Sequence, residues 1–199
     1  MRNGPRLIKF AAVFIAVIKA LSLTADGQSP SPANSSAKPS DSMLPRKVVV
    51  PISTVTRFFP EITREVSTGR NLTAVANTKA TRSVIYGNSD SSKKVTITVD
   101  QYPTASDASS AYQEAVAKSK TVPGFKPVPA ENLGQDAFVG TVTQGGETHI
   151  GLGALHGTLI LGATLAGYDL TPENTANLIS LTREEERAAK AAIDRNREK

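Results

Sequence analysis

The chain contains no cysteine and no tryptophan, and only 5% of its residues are aromatic. The lack of cysteine excludes disulfides, thiolate metal sites, thiol nucleophiles and a lipid-modified N-terminal cysteine. Acidic residues are missing from the first 25 positions, where Arg2, Arg6, Lys9 and Lys19 stand unopposed. The formal charge of +5 therefore belongs to the start of the chain, because the rest carries 19 basic against 18 acidic residues. A remainder so nearly balanced, with no aromatics interleaved among basic residues, lacks the footprint of a nucleic-acid binder. Long apolar runs are scarce too. Residues 10–18 are uninterruptedly apolar, but Lys19 stops them short of the roughly 20 residues that a spanning helix needs.

What is there divides the chain in four. A basic start, a short apolar stretch and the small residue Ala25 have the proportions of a signal peptide, expected over 1–25, with cleavage after Gly27 as a second possibility and an uncleaved anchor as the alternative. Residues 26–45 form a linker, with six Ser and four Pro between 28 and 45 and too few apolar side chains to offset their ordering entropy. Residues 46–182, about 140 in all, suffice for one core. The tail 183–199 has six basic and five acidic residues and reads as a solvated helix. Asn34-Ser35-Ser36 and Asn71-Leu72-Thr73 match the glycosylation tripeptide, a match that chance explains.

The fold class read from the 46–182 segment is α+β, with an antiparallel sheet of about five strands covered by two or three helices. Ile52, Val55, Phe58 and Phe59 recur at helical spacing before Pro60. Residues 63–80 have too little periodicity to assign. Residues 82–87 and 94–101 form a hairpin, in whose second strand Val95, Ile97 and Val99 alternate with Thr96, Thr98 and Asp100. Thr104, with Asp107 three residues on, caps a helix that buries Ala108, Ala111, Tyr112 and Ala115, and Pro123, Pro127 and Pro129 then carry a rigid loop. Thr171 and Pro172 open a last helix.

Three readings compete for 137–167. A three-strand meander has Gly145-Gly146 and Gly157 in its turns. A phosphate-cradling loop would use Gly151, Gly153 and Gly157 but needs a following helix, and 158–161 is β-rich. A membrane span would use the uncharged run 150–167, against its five glycines and His156. The meander satisfies the most residues.

The order of elements, above all the helix at 104–121, Asp136-Ala137-Phe138-Val139, the glycine turns and the Thr171-Pro172 helix start, resembles the small extracytoplasmic α+β domains of bacterial envelope lipoproteins and of the outer sensor regions of receptor kinases. Such domains are regarded as ligand-binding or protein-interaction modules without a shared catalytic motif. The resemblance thus implies an exported, non-enzymatic domain, in the periplasm or secreted, that binds a small molecule or an envelope protein. This chain departs from the type in having no cysteine to lipidate and no attached kinase.

For chemistry, His149 and His156 are the only histidines, seven apart, and would point to opposite faces of one strand. Two imidazoles without a third clustered ligand do not make a metal site, so no metal and no cofactor is expected. A hydrolase reading would take His149 as base, a Ser as nucleophile and Asp100 or Asp136 as orienting carboxylate, although no Ser stands in a nucleophile-elbow pattern. A third reading makes the chain a structural protein that self-associates through its tail. For the preferred reading, Tyr86, Tyr102, Tyr112, His149 and Tyr168 are the candidate lining of a ligand groove, because a tyrosine offers an apolar body with a polar tip. The expected protein is a monomer without a membrane span in its mature chain.

Overall fold

The computed structural model describes residues 42–71, 77–128, 133–144 and 147–197. The expected signal peptide and linker residues 26–41 lie outside the described residues, as does the Gly145-Gly146 turn. In chain order the elements are a 3₁₀ turn Arg46–Val48, α1 Ile52–Phe58, β1 Arg64–Gly69, β2 Ala80–Gly87, β3 Lys94–Gln101, α2 Ala105–Lys120, β4 Lys126–Val128, β5 Asp136–Gln144, β6 Glu147–His156, β7 Leu159–Ala166 and α3 Pro172–Arg197. The strands form one sheet in the order β1-β2-β3-β7-β6-β5-β4, with every neighbouring pair antiparallel.

The α+β class holds, but the sheet has seven strands rather than about five. Both unforeseen strands are its edges. Strand β1, in the unassigned stretch, is exposed along nearly its whole length and bulged between Glu65 and Ser67, so nothing imposes apolar alternation on it. The three residues of β4 include Pro127, where a rigid loop was expected, and an edge tolerates proline because its outward side needs no donor. The meander is as read: β6 runs through Gly151 and Gly153 as a strand, so neither a phosphate loop nor a helical span forms there. The β6–β7 turn depends on Gly157, whose φ of +57° is one that side chains resist. Among the described residues no helix is long and apolar enough to cross a membrane.

Two layers of helix cover the sheet. On one face Val84, Val95, Ile97, Leu152, Leu161 and Leu165 meet Val55 and Phe59 from the α1 region and Leu178 and Leu181 from α3. Each such side chain, fully buried, contributes roughly 1.5–3 kcal/mol relative to exposure. On the opposite face α2 lays Ala108, Ala111 and Tyr112 over Leu155 and Ile160. Its start is capped as the sequence predicts, with Thr104 Oγ1 accepting from the Asp107 amide at 3.1 Å and donating to the Asp107 carboxylate at 2.7 Å.

Two expected boundaries move. Helix α3 continues unbroken through 183–197 and buries Glu185, Ala189 and Ala192, so the charged segment read as a solvated tail packs one side into the core. At the other end Leu44 is buried, its amide donating to Thr81 O at 2.9 Å while the Thr81 amide donates to Ser42 O at 3.1 Å. The last linker residues thus dock beside β2 where β1 has ended. Arg82 fixes them by donating from Nε to Leu44 O at 2.7 Å.

Candidate binding face beside helix α2

The period of two along each strand decides what faces α2. From β3 come Thr96, Thr98 and Asp100, the residues between the core positions Val95, Ile97 and Val99. Their ladder partners extend the face: Ser83 pairs with Thr98, which pairs with Gly162, then Gly153 and Phe138. One row along, Ile85 pairs with Thr96, then Thr164, Gly151 and Gly140. Helix α2 lies over the β6 and β7 end of this face. Gly153 leaves room for the Phe138 ring, since a Cβ there would fall 2.6 Å from Phe138 Cε1, and that ring meets Tyr112 with centroids 5.8 Å apart. Beside the helix remains a strip of sheet floored by hydroxyls and glycines.

The strip is rich in polar groups that the protein leaves open. The side chains of Ser83, Thr96 and Thr164 make no hydrogen bond with another described residue, and Thr98 Oγ1 reaches Gly162 O only at 3.4 Å. At one end Asp100 is 1% exposed, and both its oxygens accept from Asn71 Nδ2, at 3.1 and 2.9 Å. Burial pushes its carboxyl up to about 7, against the opposing pull of the Asn71 amide. Tyr102, two residues on, has a buried hydroxyl without a hydrogen-bond partner, raised by burial and by the neighbouring Asp100 and Glu114 charges. At the other end His149 is buried, its Nδ1 has no partner and its Nε2 lies 3.7 Å from Glu147 Oε2. Burial lowers the imidazole below its ordinary value, Glu147 opposes this and Lys94 adds to it.

The five groove candidates do not share one surface. Tyr102, Tyr112 and His149 belong to the α2 face, where the Tyr112 hydroxyl lies towards Asp136 and is raised mainly by burial. Tyr86 and Tyr168 belong to the opposite, α3 side. The Tyr86 hydroxyl accepts from Arg46 Nη2 at 2.7 Å and donates to Val50 O, and burial pushes it up to about 12. Tyr168 stands edge-on to Phe59 at 5.3 Å between centroids. Strand parity sets Tyr86 apart, in phase with Val84 rather than with Ser83, whereas Tyr168 follows β7 beyond Gly167, whose φ is +77°.

The residues of the hydrolase reading are not assembled. His149 lies six ladder positions from both Asp100 and Asp136, roughly 20 Å along the strands. His156 faces the other way and reaches Glu186 of α3, Nδ1 to Oε1, at 3.1 Å. No group of three metal-ligating side chains occurs among the described residues. The glycosylation tripeptide at Asn71 is spoken for, because that amide is buried on Asp100.

Sequence reasoning passed over Asn71, Ser83, Thr96 and Thr164. The alternation in β3 announced a polar face, but only the register of β2, β3 and β7 aligns their hydroxyls. No protein-family profile matches the chain, and no curated protein does. Among solved structures it is similar to the extracellular domain of PknH from Mycobacterium tuberculosis, at 12% identity over 70% of this chain and 93% of that one, with a TM-score of 0.52. It is also matched to LpqN, involved in cell envelope biogenesis in the same organism, at 15% identity over 61% of this chain and 76% of that one, with a TM-score of 0.33. The chain thus shares the fold of the extracellular domain of PknH, which is the kind of domain its order of elements resembles.

Proposed function

We propose that the chain is an exported, non-enzymatic domain that binds an uncharged small molecule or a polar segment of an envelope partner on the strip beside α2. The observation that carries this reading is the row of unengaged hydroxyls, Ser83, Thr96 and Thr164, on one sheet face. These hydroxyl oxygens, unlike that of Tyr102, are not shut off from solvent, so a ligand can bond them in place of water. The strip between Asp100 and Lys94 bears no formal charge, which suits a neutral hydrogen-bonding occupant. Export is supported by the leader-like start of the chain. Binding without catalysis is supported by the separation of His149 from Asp100 and Asp136, the orienting carboxylates of the hydrolase reading. Association through a free tail loses its basis, because Ala189 and Ala192 already pack against the core.

Native mass spectrometry of the protein purified gently from its host envelope tests the proposal. A cleaved mass carrying a reproducible noncovalent addition is the expected result. A clean polypeptide mass under the same conditions overturns it.

A further inference from the structure

Asp100 lies at one end of the α2-side strip, but the second buried carboxyl among the described residues, Glu185, lies on the α3 side, away from any binding role. It is 1% exposed. Its Oε2 accepts from the Val50 amide at 2.9 Å, and its Oε1 is buried with no hydrogen-bond partner. The same short segment is held at other points. Tyr86 donates to Val50 O, and Arg46 donates from Nη1 to Val49 O at 2.8 Å and from Nη2 to Glu65 at 2.7 Å. Val48, Val49 and Val50 meanwhile fill the core under α3. This is where the incoming linker joins the folded domain.

A carboxyl with one hydrogen bond in apolar surroundings is tolerated neutral and penalised ionised, whereas in water it ionises freely. We propose that Glu185 is a pH-sensitive latch on the N-terminal segment 42–50, whose hold weakens as pH rises through the neutral range because opening lets the carboxyl ionise in water. Burial keeps the docked carboxyl protonated up to about 8, with the Val50 amide and Arg46 pulling the other way. The charged and titratable groups facing it are Arg46 from the 3₁₀ turn and Tyr86 from β2. Glu65 of β1 and Arg82 of β2 act on it through Arg46, and Arg57 of α1 pairs with Glu184 on the outer side of α3. His156 of β6 meets Glu186, the next residue of α3, at 3.1 Å, and comparison with Glu185→Gln removes contributions that the two proteins share, that of Asp100 included. Release of the nine residues 42–50 would add about 30 Å to the reach of the tether.

The test is limited trypsin cleavage of the full chain, which has its first folded-region sites at Arg46 and Lys47 and a buried internal site at Arg82. Cleavage rates of the wild type are divided by those of Glu185→Gln at each pH, which cancels the pH dependence of the protease. The ratio at Arg46 and Lys47 should rise by about tenfold per pH unit between pH 6 and 8 and flatten above. In the wild type, cleavage at Arg46 and Lys47 should outpace cleavage at Arg82, which waits for β2 to open. A flat ratio overturns the latch, and so does cleavage at Arg82 as fast as at Arg46 and Lys47, which would make the opening global. If Glu185→Gln does not fold, the wild-type Val50 amide resonance decides. An inflection near pH 8 supports the latch, and one in the ordinary carboxylate range, or none, overturns it.

Discussion

The two faces of the sheet are built from the same strands and lead opposite lives. On the α3 face Val84, Ile97, Ala163, Leu152 and Val139 form one apolar ladder row, sealed by α1 and α3. One residue along, the α2 face carries Ser83, Thr98, Gly162, Gly153 and Phe138, and α2 seals only part of it. A single register therefore assigns every β-branched aliphatic of β3 to the α3-side core and every hydroxyl to the face that α2 covers in part. Each side also buries one carboxyl, Glu185 on the α3 side and Asp100 on the α2 face. The unbonded hydroxyls thus lie where the helical cover is incomplete, and the apolar packing where it is continuous.

The comparison breaks most sharply under large-to-small substitution. Ile97→Ala should cost about 4 kcal/mol in urea unfolding, because the cavity is closed in by Val84, Ala163 and the α3 layer. Its neighbour Thr98→Ala should cost less than about 1 kcal/mol, since the hydroxyl makes only the long contact to Gly162 O. Comparable losses at the two positions would show that the α2 face is as much a core as its opposite.

Next in size is the pH dependence of stability. Asp100 binds its proton in the folded state up to about pH 7, while in the unfolded chain it loses it near 3.8. Stability contributed by the neutral carboxyl is complete below the unfolded value, falls as pH rises between the two, and is level above about 7. Glu185 acts with the same sign between 4.5 and about 8. Asp100→Asn should therefore flatten part of the decline and be more stable than the wild type at pH 8 by on the order of a few kcal/mol. Melting curves taken from pH 4 to 9 decide this, and an unchanged slope in the variant would mean that Asp100 is ionised on its Asn71 partner.

A smaller effect is expected where the two layers of the α2 face touch. Gly153→Ala places a Cβ 2.6 Å from Phe138 Cε1 and 3.0 Å from Cζ, so the ring must leave the strand and its contact with Tyr112. The loss should be about 2 kcal/mol by thermal or urea unfolding. A neutral result would show that Phe138 is free to move and that the α2 cover is looser than its opposite.

Much of this division is legible in the sequence. Strand β3, the Thr104 cap, the meander and the Thr171-Pro172 start each rest on short-range rules of period, capping or turn chemistry, and each stands where those rules put it. The edges β1 and β4 were not legible, because an exposed strand needs no apolar alternation. Nor was the buried side of 183–197, since Glu185 looks like any surface acid until Val50 arrives from 135 residues away. The candidate site was legible only in part. Tyr102, Tyr112 and His149 share the α2 face, whereas Tyr86 and Tyr168 were grouped with them by residue type, which says nothing of the side of the sheet. Asn71 and the aligned hydroxyls depend on long-range register.

The subtlest prediction separates the two roles at one stroke. Thr96 and Thr164 are ladder partners, and their hydroxyls bond no other described residue, so valine at both positions keeps the shape and the β-branched backbone preference. Stability should stay within about 0.5 kcal/mol of the wild type. A bound molecule that uses both hydroxyls loses two hydrogen bonds and leaves its own polar groups facing methyls, which should lower its occupancy at least about tenfold. Native mass spectra of the two proteins prepared side by side read both quantities, since the folded charge-state envelope reports the fold and the added mass reports the ligand. Full occupancy in the doubly substituted protein would move recognition off this face. Lost occupancy with unchanged stability is the signature of side chains kept for a ligand, because nothing inside the protein misses them.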